Sequence, residues 1–497
     1  MSEAADFLLL GGTVVTMDGQ DRVLEDAGVA VQGGRIAAVD GSDALRSRFP
    51  ELPVTLAQRK AILPGLVDTY GHAGHGMIKG FHHPAHGWPA GWLYWHATTP
   101  DWWYADGLLA ALERLRFGVT TGFSIIGSTP ARSDNPLYAH RHAEAYAQVG
   151  VRAVLGVGAP DPFFSHLSTD PWSGSHWEEG RWVERTFTYD DAINNALQTV
   201  RDWHGGADGR VRIALASAYL LGRHMPHPRL TYQLPEGAAP TILEKALELR
   251  ELASRHGLLI HTHMFKGSVR YGLERFGREA LGQILGPDVV IAHANALEPD
   301  EVEVLGATGC NIALVAYTAE NVHYGFAPIV ELLEAGANVT ISTDGSAPYM
   351  SFDLWQDVKR TLWHAWLSHR TQRVLPPGRA LRMVTIDAAR AMGMENEVGS
   401  LEVGKRADLI TVNLDQPHLT PRTFLPQQLA YYATGQDVSE VWVEGKQLLK
   451  EGRVLGVDVE GALELAREEA GKSFERAGKH LEPFLHPAEG FWREARY

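Results

Sequence analysis

The chain carries one cysteine in 497 residues, Cys310, so an intrachain disulfide is excluded. A basic excess is missing too. With 45 Lys and Arg against 60 Asp and Glu, the formal net charge is −15, which argues against a nucleic-acid partner and against docking on acidic membrane surfaces. Small neutral or cationic substrates suit that balance. Long apolar runs are also absent: Phe7 to Leu10 and Ile312 to Tyr317 fall far short of the roughly 20 residues a membrane-crossing helix needs. The segment Met1-Ser2-Glu3-Ala4-Ala5-Asp6 has no basic stretch ahead of an apolar one, and the expected location is cytoplasmic. There is no internal repeat, no low-complexity tract and no Gly-rich phosphate fingerprint after an early strand.

What is present is the composition of a globular protein, 45% hydrophobic and 21% charged, with material for a large domain and a smaller one. Residues 1–60 alternate short β-type runs with Gly turns, as in Phe7-Leu8-Leu9-Leu10-Gly11-Gly12-Thr13-Val14-Val15. The same texture returns in residues 396–456, at Asp408-Leu409-Ile410-Thr411-Val412 and Val441-Trp442-Val443. Strands from these two distant pieces are expected to pair in one small composite β-sandwich. Between them, residues 61–395 alternate apolar β-rich runs with amphipathic helical stretches. The runs include Val151 to Val157, Val211 to Leu215, Leu258 to His261, Val289 to His293, Asn311 to Val315 and Asn338 to Ser342. Such βα repetition predicts an α/β fold with a parallel sheet, and its length suits a (β/α)₈ TIM barrel better than an open doubly wound sheet. Residues 457–497 read as a charged, helical C-terminal extension.

In a barrel, reactive groups gather at the C-terminal strand ends. Candidates there are His72, the pair His261 and His263, His293, and Asp344 in Ser342-Thr343-Asp344-Gly345. A lone strand-end histidine is more often a hydrogen-bonded structural residue, and Asp-Gly alone is usually a turn. Imidazole and carboxylate converging from separate strands is instead the donor chemistry of a borderline divalent cation. Between His72 and Trp103 lie six histidines and five tryptophans, which predicts either a substrate-pocket lid or a self-packed or subunit-packed loop.

The motifs Leu63-Pro64-Gly65-Leu66-Val67-Asp68, Gly118-Val119-Thr120-Thr121, His261-Thr262-His263, Ala292-His293-Ala294, Thr343-Asp344-Gly345 and Gly399-Ser400-Leu401-Glu402-Val403-Gly404-Lys405-Arg406-Ala407-Asp408-Leu409 resemble those of the amidohydrolase superfamily. The likeness spans nearly the whole chain and points to its cytosine-deaminase-like and triazine-hydrolase-like branch. It implies a metal-dependent hydrolase of a non-peptide C–N bond, with one divalent ion, zinc first and iron or manganese as alternatives. On that likeness His72, His263 and Asp344 are metal ligands, with His293 beside them. Asp344 would move protons between a metal-activated water and the leaving nitrogen, and His293 would support the oxyanion. A homo-oligomer acting on a small molecule is expected.

Two departures stand out. Tyr70 occupies the place of the first histidine in the first-strand pair, so either the phenol binds weakly or His261 fills the gap. A phenylurea-hydrolase-like branch is similar in lacking that histidine. Lys266 stands three residues after His263, where deaminase relatives carry a glutamate that protonates a ring nitrogen; it enters the list of catalytic candidates on position alone. The missing carboxylate favours an amide, urea or carbamate over an aminated heterocycle, whose deaminase is the alternative. A catalytically idle ligand-binding relative is the competing class.

Overall fold

The computed structural model describes residues 5–81, 92–126, 132–159, 172–222, 225–227, 230–232, 237–317, 325–347 and 350–482. His82, His83, His86 and Trp88 lie outside them.

Eight parallel strands run in chain order through one sheet: Leu66–Asp68, Val119–Ile125, Arg152–Val157, Val211–Ala216, Ile260–Phe265, Val289–Asn295, Asn311–Leu314 and Asn338–Ile341. Helices intervene, among them Pro100–Arg116, Leu137–Val149, Tyr189–Trp203 and Ala238–His256. In the second and sixth strands every residue is buried, as expected when a sheet is covered on both faces. The inward side chains, including Val67, Tyr70, Phe123, Val154, Ala214, Val290 and Ala313, form one interior cluster. The first and last strands meet through polar contacts: Asp344 N–H donates to Tyr70 O at 3.1 Å, and the Thr69 and Thr340 hydroxyls bond at 2.8 Å.

The two chain ends share a nine-stranded sheet. Strand Lys60–Pro64 sits at its centre, parallel to Phe7–Val15 and antiparallel to Leu409–Asn413, so the chain leaves the composite domain directly into the first barrel strand. A hairpin, Trp172–Glu178 with Arg181–Phe187, inserts after the third barrel strand and has no counterpart in the expected pattern. Residues Val459–Ala477 form the anticipated charged helix, which packs on helix Pro100–Arg116 with Trp102 Nε1–H donating to Ser473 Oγ at 3.2 Å.

Helix Pro100–Arg116 matters most for the site. Thr99 caps it by accepting from Trp102 N–H, proline occupies its first turn and Arg114 and Arg116 its last. Its buried stripe nevertheless includes two charged groups, Asp106 and Arg114, both fully buried. Arg114 Nη2 pairs with Asp68 Oδ2 at 2.9 Å and also donates to Phe123 O, while Nη1 donates to Ser124 Oγ and to the Tyr146 hydroxyl. Asp68 in turn accepts from Thr343 N–H at 3.1 Å and Thr343 Oγ1–H at 2.8 Å. The first two barrel strands, the end of the last one and two helices are thus joined around a single buried ion pair. Removing one partner of such a pair strands the other charge, so Arg114→Met is expected to lower unfolding stability by about 3–5 kcal/mol. Urea unfolding measures this, and a midpoint equal to that of the parent protein would contradict the assignment.

Candidate active site

Tyr70 follows the first barrel strand, and its side chain and that of His72 face the same way, as i and i+2 positions of extended chain should. The Tyr70 hydroxyl lies 2.6 Å from His72 Nε2 and 2.7 Å from His263 Nε2. His263 Nδ1–H donates to Ala218 O at 2.9 Å, so its Nε2 carries the lone pair and accepts from the phenol. On the other side His72 Nε2 is 3.0 Å from Asp344 Oδ1. Two imidazoles, a phenol and a carboxylate therefore converge on one point, all of them buried or nearly so.

His293 stacks on Phe265 and on His263, with ring centroids 4.9 and 5.3 Å apart. His293 and Asp344 both hold left-handed backbone, with φ of 74° and 61°. Such conformations cost non-glycine residues of order 1–3 kcal/mol and cluster at functional sites. The last strand turns at this point, and Gly345 N–H donates back to Asp344 Oδ1 at 2.8 Å.

The electrostatics favour neutral His263 and His293 and a charged Asp344. Burial, reinforced by the neighbouring imidazoles, lowers His263 to about 3; burial also lowers His293 to about 4, although the Asp344 carboxylate opposes it. Burial alone would raise Asp344, but the field and hydrogen bond of His72, with His293 behind, hold its carboxyl well below the usual range. Asp344 is thus an ionised base at any ordinary pH.

The remaining candidates separate. His261 lies beneath the phenol: its ring stacks on Tyr70 and on Phe123, each at 4.8 Å, and neither of its ring nitrogens is hydrogen-bonded. It meets the His263 ring edge-on at 5.4 Å without bonding to any donor atom of the cluster. Lys266 turns outward to pair with Glu298, its side chain 48% exposed. Trp102 and Trp103 are buried in the helical layer and serve packing, whereas Trp92 stacks on His480 at 4.2 Å and lines a cavity with His96 and Trp182.

Two groups carried no role in the sequence pattern. His75 is buried against the site, its ring stacked on His72 at 4.7 Å. The loop that carries it is held by Asp106, which accepts from Gly74 and Gly76 N–H and is pushed up to about 7 by burial. Asp106 and Arg114 could have been suspected as charges falling on the apolar stripe of a helix. His75 is set apart from the other histidines of its loop only by its nearness in sequence to His72, three residues before it.

The donor chemistry suits a divalent cation, with two imidazole nitrogens, a carboxylate and a phenol oxygen. Among the described residues, however, no three His, Cys, Asp or Glu side chains form a metal-holding group by themselves.

A parallel (β/α)₈ array presenting imidazole and carboxylate at its C-terminal strand ends defines a barrel enzyme. The model of the "Amidohydrolase family" matches residues 61–448, and that of the "Imidazolonepropionase-like composite domain, bacteria" matches residues 27–51. The chain is 30% identical to a 5′-deoxyadenosine deaminase of Methanosarcina barkeri, over 94% of this chain and 98% of that one. It is 29% identical to a 5-methylthioadenosine/S-adenosylhomocysteine deaminase of Syntrophobacter fumaroxidans, again over 94% and 98%. Among solved structures, an adenosine deaminase from Xanthomonas campestris with bound zinc superposes with a TM-score of 0.77 at 23% identity, covering 96% of this chain and all of that one. An atrazine chlorohydrolase from Arthrobacter aurescens TC1 complexed with zinc gives 0.74 at 22% identity, over 93% of this chain and all of that one. The chain belongs to the amidohydrolase family. It is an enzyme that acts on carbon–nitrogen bonds other than peptide bonds.

Two outcomes follow for the site. His263 and His293, and His142 buried on helix Leu137–Val149 beside Asp106, stay neutral in the fold down to about 3, 4 and 3, whereas unfolded imidazole takes up a proton near 6.5. The unfolded chain therefore binds more protons between those values, and the stability these groups contribute is complete above about pH 6.5 and lost as pH falls towards 4. Urea midpoints of metal-stripped protein should drop across that window, and a flat profile would refute the burial argument. In addition, a Cβ on Gly345 would overlap the His75 imidazole, so Gly345→Ala should fold yet lose at least about tenfold in kcat/KM through displaced His75 and Asp344. Unchanged turnover would show that His75 is not part of the site.

Proposed function

We propose that the chain is a metal-dependent hydrolase of an amide, urea or carbamate C–N bond, in the cytosine-deaminase-like and triazine-hydrolase-like branch, with a phenylurea-hydrolase-like loss of the first metal-binding histidine. The choice of bond rests on Lys266. A deaminase of an aminated ring needs an acid beside the ring nitrogen, and the side chain at this position instead pairs with Glu298 towards solvent. Carbonyl C–N cleavage needs only a base that returns its proton to the leaving nitrogen.

Asp344 supplies that base. Its carboxylate is ionised, fixed by Gly345 N–H and by His72, and can take a proton from water and hand it to nitrogen. Neutral His293 faces the same space and stabilises the oxyanion by hydrogen bonding. The zinc-bound similar proteins support a divalent cation, zinc first with iron or manganese as alternatives; His72, His263 and Asp344 are the groups the family likeness assigns to it, although as arranged here they form no metal-holding group of three, and bound there it would supply Lewis-acid polarisation. The reading keeps the enzyme cytoplasmic and homo-oligomeric; exposed Trp363 and Leu367, one turn apart on helix Leu354–His369, support a shared face. A second reading, deamination of an adenosine-type nucleoside, is favoured by what the similar deaminases are named for.

The test is a substrate panel of aryl and alkyl amides, ureas and carbamates beside 5′-deoxyadenosine and aminated triazines, with products followed by mass spectrometry. Amine release from the first group is expected, and Asp344→Asn should lower kcat by about 10²–10⁴-fold. Vigorous conversion of 5′-deoxyadenosine to its deaminated product would replace the first reading with the second.

A further inference from the structure

We propose that a cavity at the rim of the barrel, apart from the donor cluster, is a binding site for a planar aromatic anion, a ring bearing a carboxylate or a phosphate. Its volume of about 430 Å³ falls in the range of small-molecule sites. Three segments enclose it: Trp92 with the turn Leu93–Ala97 that follows the first barrel strand, the hairpin inserted after the third, and the end of helix Val459–Ala477 with Gly478–His480. The first two leave their strands at the end of the barrel that carries Asp344, yet no residue of the donor cluster lines this space. Binding here is independent of which bond the enzyme cleaves.

Flat rings form the walls. Trp92 lies on the His480 ring at 4.2 Å and 17°, meets Trp182 edge-on at 5.9 Å and stands 5.2 Å from the His96 ring. His96 is fixed by donating Nδ1–H to Ser175 O at 2.8 Å. Trp182 is still 41% exposed, so a guest ring would cover indole surface that the protein leaves open.

Charge selects the sign of the guest. Arg476 and Lys479 line the cavity, and among the described residues no Asp or Glu does. Arg476 Nη1 donates to Ala97 O at 3.1 Å and its guanidinium stands 5.5 Å over the Trp177 ring, but among the described residues neither it nor Lys479 has a carboxylate partner. Nearby carboxylates are engaged elsewhere: Glu184 accepts from Ser175 Oγ–H, and Glu469 pairs with Lys472 at 2.9 Å and accepts from Thr99 Oγ1–H at 3.1 Å. The helix dipole favours a cation in the last turn, which accounts for a positive residue at 476. It does not account for two unpaired cations on one aromatic-lined cavity in a chain of net charge −15. A cationic guest would be drawn by the rings and repelled by both side chains, whereas an aromatic anion satisfies rings and charges together.

The experiment titrates the full chain with 2-naphthoate by calorimetry, with 2-naphthylmethylammonium as the control for charge and cyclohexanecarboxylate as the control for stacking. Expected are one naphthoate per chain with Kd at or below about 1 mM, affinity that falls as salt rises, and at least about fivefold weaker binding of each control. Trp182→Ala and Lys479→Glu, both at exposed positions, should each weaken naphthoate at least about fivefold, and Asp344→Asn should leave it unchanged. No saturable binding, equal binding of the ammonium, or unchanged affinity in either of the first two variants overturns the proposal. Loss of binding in Asp344→Asn puts the probe in the donor cluster and overturns it as well. Should Trp182→Ala fail to fold, Lys479→Glu decides, because Lys479 holds no hydrogen bond or ion pair in the fold.

Discussion

The buried Arg114–Asp68 pair is the constraint on which the site depends. Neither group reaches solvent, so each charge is tolerable only because the other is 2.9 Å away and every remaining donor or acceptor finds a partner. Those partners are structural: Phe123 O and Ser124 on the second strand, Tyr146 on a covering helix, and Thr343 at the end of the last strand. Asp68 begins the segment that delivers Tyr70 and His72, and Thr343 immediately precedes Asp344. The ion pair therefore fixes the separation between the two halves of the donor cluster from underneath.

A comparable network joins the barrel to the composite domain. Arg152, fully buried at the start of the third strand, pairs with Asp408 and with Glu444, which also holds Arg406. Arg406 in turn reaches Glu397, the partner of Arg212 on the fourth strand. These contacts gather where the strands begin, opposite the end at which the donor groups lie, and they support the barrel without entering the chemistry. The segment Gly399 to Leu409, distinctive in the sequence, supplies much of this joint and none of the reactive groups.

At the reactive end the energetic problem is the reverse. Five imidazoles, a phenol and a carboxylate are crowded into a buried space that disfavours charge, and Asp344 is nevertheless held ionised there. The left-handed backbone at His293 and Asp344 shows that the chain accepts local strain to aim these two side chains. Such an arrangement is stable only because a rigid frame determines it.

The order of strands and helices was legible along the chain, because buried parallel strands are continuous apolar runs and their spacing admits little besides a barrel. The strand-end residues were legible for the same reason: His72, the pair His261 and His263, His293 and Asp344 could be named from where the runs stop. Which donors actually meet was decided only in three dimensions. His261 and His263 are two positions apart and share one face of their strand, yet stacking sends the first under the phenol and leaves the second facing its hydroxyl. Lys266 is likewise drawn outward by Glu298, a partner 32 residues away that no local pattern announces. Arg114, Asp106 and His75 acquire their parts from neighbours on other elements. Periodicity records which face of an element is buried; it carries no record of what the opposite face will meet, and that pairing was set by closure of the barrel.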